Sequence, residues 1–222
     1  MDPPGQAILF LGIIPALILL YITLKGYDEH YKDKTIFLTF IVGIILGVLA
    51  AVVRIYVYIL PFVIAYVIVF AFFEQLFKTI VLNLGRFHGK QETPIYGLSL
   101  GLGFGSSFTP FLIIAASTVS NDLSFIAIVG FGSLGFILFH AATTAYIGYG
   151  IYTYKLTKYL LLAILLQIPF NIIFDATRNY DSQYFLAFNV VLVAYGLIIY
   201  YYVIKNILPQ IKLQSRKRSK KS

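Results

Sequence analysis

The chain contains no cysteine. That excludes disulfides, thiolate metal sites and a cysteine nucleophile. Charge is scarce as well. Only 12% of the 222 residues are Asp, Glu, Lys or Arg, against 59% hydrophobic, and the mean hydropathy is +0.86. A soluble chain of this length cannot hide so much apolar surface, whereas a bilayer accepts it. Histidine is limited to His30, His88 and His140, and no HExxH occurs. A catalytic zinc needs three good protein ligands and an open position. Within the apolar runs only Glu74 and His140 qualify, so a bound zinc is disfavoured and no cofactor is expected. There is no clear internal repeat of the kind found in many secondary transporters. Residues 1–6 lack a basic region, so the first apolar run reads as a retained helix and not a signal peptide.

What the chain does have is seven apolar segments near the ~20 residues needed to span a bilayer. They are residues 6–24, 35–58, 61–84, 95–119, 123–152, 157–174 and 184–204. Pro61 separates the second from the third, since proline suits the first turn of a helix. The expected fold is an all-α membrane protein: one seven-helix domain over residues 1–211, then a basic tail over 212–222. Of the 17 basic residues, 15, Lys78 among them, fall in one set of alternate connections and the C-terminus; Arg54 and Arg178 fall on the other side. By the positive-inside rule the N-terminus lies outside and the C-terminus in the cytoplasm. The expected location is the plasma membrane of a prokaryote. The tail, with Lys212, Arg216, Lys217, Arg218, Lys220 and Lys221, suits anionic lipid headgroups. It has no interleaved aromatics, so no specific nucleic acid is expected.

The rare polar residues inside these runs carry the functional signal. A charge near the bilayer centre costs about 2.5–3.5 kcal/mol or more, so an intramembrane Glu is a functional-site hypothesis by default. At 1.5 Å of rise per residue, Glu74 lies about 15 Å from the end of its span, His140 about 18 Å and Gln167 about 15 Å. Ser106 and Ser107 reach the same depth, and Asn171 lies one turn beyond Gln167. Groups from four helices thus fall in one layer, and in lipid they must face one another or a water-filled cavity. Glu74 and Lys78, spaced i,i+4 with the acid first, could instead neutralise each other. Gln167 and Asn171 share a helix face and suit interhelical hydrogen bonding, as does His140. Gly43 and Gly47, and Gly97, Gly101 and Gly105, form small-residue stripes that let helix backbones approach.

Such a layer supports metal-free hydrolysis on paper. A desolvated Glu74 would act as general base toward water, His140 would orient that water or protonate the leaving group, and the amide of Asn171 or Gln167 would donate to the oxyanion. A Glu74/His140/Lys78 relay in a transporter or channel is the alternative from charge alone, weakened by the lack of a second intramembrane carboxylate on another helix.

Glu74-Gln75-Leu76-Phe77-Lys78 resembles the EExxK motif of PrsW-type intramembrane proteases. Gly101-Leu102-Gly103-Phe104-Gly105 resembles that family's Gly-rich GxGFA run, and Phe139-His140-Ala141-Ala142 its later His-Ala element. Gln167-Ile168-Pro169-Phe170-Asn171 resembles the HxxxN element of the wider clan, which includes CAAX prenyl endopeptidases and the Aph subunit of gamma-secretase. The resemblance covers roughly residues 60–175. It implies an intramembrane peptidase-like bundle with catalytic Glu74, His140 and Asn171, supported by Gln75, Lys78, Gln167, Ser106 and Ser107, and a membrane-protein substrate or partner subunit. The chain departs from the pattern at Gln75 for the second Glu, at Phe108 and Thr109 for a later Glu-Asn, and at Gln167 for the His. A degenerate scaffold or substrate-binding subunit on the same bundle is therefore the second expectation.

Overall fold

The computed structural model describes residues 7–57, 63–120, 122–177 and 183–211. Among them the regular structure is entirely helical. The helices are α1 (Ala7–Leu24), α2 (Asp33–Val57), α3 (Val63–Leu82), α4 (Thr93–Ser106), α5 (Phe108–Val119), α6 (Leu123–Tyr152), α7 (Leu156–Ala176) and α8 (Phe185–Tyr202). A π-helical turn, Val203–Ile207, carries α8 on toward Ile211. Five helical stretches are long and apolar enough to cross a membrane: Asp33–Arg54, Thr93–Val119, Leu123–Tyr152, Leu156–Ala176 and Phe185–Ile211. Phe10–Leu24 is a shorter apolar helix. Pro61, Arg178 and the tail over 212–222 lie outside the described residues.

The expected fourth span is two helices. Pro110 has no N–H to give the carbonyl of Ser106, and its ring crowds that carbonyl, so the regular helix is interrupted at Ser107. The opening is filled by α1: a side chain on Gly12 would meet the Ser106 carbonyl and come within 2.9 Å of Thr109 Cβ.

α4 is the axis of the bundle, and every one of its residues is buried. Its glycines permit this. A Cβ on Gly101 would meet the His140 carbonyl and lie 2.7 Å from Ala141 Cα; one on Gly105 would lie 2.6 Å from Ile137 Cα; one on Gly97 would lie 2.5 Å from the Thr144 carbonyl. These three face α6. On the opposite side Gly103 meets the backbone of Phe40, while Gly43 and Gly47 of α2 meet the backbones of Leu100 and Phe104. Backbone thus packs on backbone along two neighbours at once, gaining dispersion contacts that longer side chains would prevent. The outer helices carry exposed Phe37, Ile45, Phe73, Ile80, Leu165 and Ile198, the lipid-facing surface such a bundle needs.

Candidate functional site

Glu74, Gln75 and Lys78 lie in the middle of α3 and are 1%, 0% and 0% exposed. The i,i+4 spacing puts Glu74 and Lys78 on one face, and that face meets α6 and α7. His140 enters from α6; Gln167 and Asn171, again i,i+4, enter from α7. The structure brings these six residues together as the sequence suggested.

Their pairing differs from expectation in one decisive respect. Glu74 is partnered by Arg54 of α2, whose Nη2 donates to Glu74 Oε1 at 2.9 Å and to Asn171 Oδ1 at 3.0 Å. The Lys/Arg count puts Arg54 with the outer connections; it is 6% exposed, inside the bundle. Four aromatic rings enclose its guanidinium, those of Tyr66, Phe70, Phe108 and Phe174, with centroids 5.0–5.9 Å from Cζ. Such faces are favourable for a delocalised cation. A signal did exist in the sequence: Arg54 falls inside an apolar run by the same criterion that singled out Glu74.

The other carboxylate oxygen is taken too. Gln167 Nε2 donates to Glu74 Oε2 at 2.7 Å and to Asn171 Oδ1 at 3.2 Å. Gln167 Oε1 accepts from Gln75 Nε2 at 2.6 Å, and Asn171 Nδ2 donates to the Val67 carbonyl at 3.0 Å. One carboxylate, one guanidinium and three amides therefore tie α2, α3 and α7 together. Gln75 and Gln167, two of the positions that depart from the EExxK and HxxxN patterns, bond to each other.

Lys78 does not pair with Glu74 through a hydrogen bond, as the i,i+4 reading allowed. Its Nζ lies 3.0 Å from His140 Nδ1 and 4.9 Å from the centroid of Phe104. It is fully buried, so it does not belong among the basic residues of the connections. If Lys78 donates to Nδ1, the imidazole proton resides on Nε2. That atom has no hydrogen-bond partner and stands 3.8 Å from Glu74 Oε2, too long for a hydrogen bond. Phe104, Phe108, Phe136, Phe139 and Phe170 surround the ring at centroid distances of 4.6–6.1 Å.

Ser106 and Ser107 do not join this layer. Their hydroxyls donate to the Gly103 and Phe104 carbonyls of their own helix, each at 2.8 Å. Among the described residues no group of three or more His, Asp or Glu side chains has the arrangement of a metal site.

A separate cavity of about 360 Å³ lies on the far side of Arg54, between α2, α5, α6, α7 and α8. Its walls are mostly apolar, and Glu74, His140 and Gln167 do not line it.

No protein-family profile, curated protein or solved structure matches the chain.

Proposed function

We propose that the chain is a seven-span membrane protein, with its N-terminus outside and its C-terminus in the cytoplasm, that resembles intramembrane peptidases and works as a scaffold or substrate-binding subunit. The observation that carries this reading is the engagement of both Glu74 oxygens, one by Arg54 and one by Gln167. A general base must offer a lone pair to a water beside the scissile bond. A carboxylate held between a guanidinium and an amide, 1% exposed, is instead suited to fixing helices. The orientation gains support from the burial of Arg54 and Lys78, which removes one residue from each side of the charge balance. Fourteen basic residues then stand against Arg178 alone.

The hydrolytic reading keeps one observation in its favour: the unpartnered His140 Nε2 beside Glu74 Oε2. A membrane-spanning reporter peptide in liposomes separates the two. The binding reading predicts an intact reporter with the unaltered protein. Cleavage that disappears in a folded Glu74→Gln variant would establish hydrolysis and overturn it.

A further inference from the structure

We propose that the cleft between α1 and α2 is a binding site for a phospholipid with a primary ammonium head, of the phosphatidylethanolamine class. The two helices pack on α4 and hardly on each other. Gly12 brings α1 down onto the Ser106 carbonyl and Gly43 brings α2 onto the Leu100 carbonyl, and between the helices a cleft of about 590 Å³ stays open. That volume lies within the range of about 300–1,000 Å³ usual for ligand sites. Leu20, Ile36 and Phe40 form the floor and are buried, whereas Tyr21 and Phe37 form the rim and are 74% and 68% exposed.

The cleft has the length and the polarity of a lipid in one leaflet. Its lining runs from Leu24 to Ile13 along α1 and from Asp33 to Ile44 along α2. Eleven steps of 1.5 Å along each helix make about 16 Å. Half of the ~30 Å hydrocarbon core of a bilayer is about 15 Å. Apart from the Tyr21 hydroxyl, the polar groups of the lining sit at one end, around the α1–α2 connection: Lys25, Asp28, Tyr31 and Asp33. An acyl chain fits along the apolar walls with its head group held at that end.

Charge selects the head. Two carboxylates and one ammonium give the lining a net negative charge, although the chain as a whole carries +8. Glu29, Lys32 and Lys34 belong to the same stretch but do not line the cleft. Among the described residues Lys25, Asp28 and Asp33 form no ion pair, and Asp28 accepts one long contact, 3.4 Å, from the Tyr31 hydroxyl. A lipid phosphate meets Lys25, and a primary ammonium, with its three N–H donors, meets the carboxylates. Phosphatidylglycerol brings no cation for Asp28 and Asp33. Phosphatidylcholine brings one that has no N–H to donate.

The test is photolabelling of the full-length protein in phosphatidylcholine nanodiscs doped with phosphatidylethanolamine that carries a diazirine on one acyl chain. Mass spectrometry locates the labelled residues. The expected result is saturable labelling concentrated on residues 13–24 and 36–44. Unlabelled phosphatidylethanolamine displaces it, whereas the same amount of phosphatidylglycerol does not. Asp28→Asn/Asp33→Asn, at exposed positions that leave the fold alone, weakens binding about fivefold, the scale of exposed charge pairs. Leu17→Trp fills the cleft from its exposed rim and lowers labelling on α2 at least as much. Labelling that never saturates, that spreads evenly to Phe73, Leu165 and Ile198 on the outer surface, that phosphatidylglycerol displaces as well, or that is unchanged in the double Asn variant or in Leu17→Trp would each overturn the inference. Reporter cleavage plays no part in this readout, so the inference and the proposed function can fail independently.

Discussion

Replacing Arg54 by leucine leaves Glu74 buried with Gln167 as its remaining hydrogen-bond donor. Breaking a buried ion pair from one side costs about 3–5 kcal/mol, because the surviving charge is uncompensated. Asn171 Oδ1 also loses a donor but keeps Gln167, so it adds little. For a chain of this size each kcal/mol moves the midpoint by roughly 2–4 °C, so Arg54→Leu is expected to lower Tm by roughly 10 °C. Glu74→Leu should cost as much, since it strands the guanidinium among four aromatic rings. The double variant Arg54→Leu/Glu74→Leu removes both charges and leaves Gln167 and Asn171 short of one partner each, at about 1–3 kcal/mol. It should therefore be more stable than either single variant. Thermal unfolding in detergent, followed by circular dichroism, provides the comparison. If the double variant loses as much as the two single losses added together, Arg54 and Glu74 do not act as a pair and the reasoning fails.

Other positions give independent checks by the same melting assay. Gly101→Leu drives a side chain into the His140 and Ala141 backbone, so it should cost at least the 1–3 kcal/mol typical of overpacking; an unchanged Tm would mean α4 and α6 are farther apart. His140→Phe suits the surrounding rings but leaves Lys78 Nζ without its acceptor, and is expected to lose about 1–3 kcal/mol; a neutral result would show that Lys78 finds another partner. Asp122 caps α6, accepting from the backbone N–H and hydroxyl of Ser124 at 2.9 and 2.8 Å, and these bonds hold its carboxyl below the usual carboxylate range. A depressed folded pKa adds stability above the unfolded pKa of about 3.9 that is lost as pH falls through the folded value. The unaltered protein should therefore lose more stability than Asp122→Ala across that acidic window; parallel curves would remove the cap from the account.

How far the sequence carried depended on what kind of interaction was at stake. The fifth span, 123–152, coincides with α6, because a long apolar run with a capping Asp leaves little choice of limits. The polar layer was legible from depth alone, since 1.5 Å per residue places Glu74, His140, Gln167 and Asn171 at comparable heights. Partner choice was not legible. Glu74 and Lys78 are i,i+4 neighbours, yet azimuth and helix tilt send one toward Arg54 and the other toward His140. The interruption at Ser107 depends on Pro110, whose effect is local and specific, while hydropathy averages over it. Ser106 and Ser107 were at the right depth but bonded back to their own helix, a competing outcome that depth cannot distinguish. Arg54 near the end of a run looked like a boundary residue. Its bonds to Glu74 of α3 and Asn171 of α7, which sequence does not reveal, hold it inside.

The central claim is that Arg54 holds Glu74 within the membrane-embedded bundle. It is tested most directly by a dipolar recoupling measurement in lipid bilayers, with nitrogen-15 in the arginine guanidinium and carbon-13 in the glutamate carboxyl. The 2.9 Å separation of Nη2 and Oε1 predicts a strong nitrogen–carbon coupling that disappears in Glu74→Gln. A coupling that is absent from the unaltered protein, or that survives unchanged in the variant, would contradict the account.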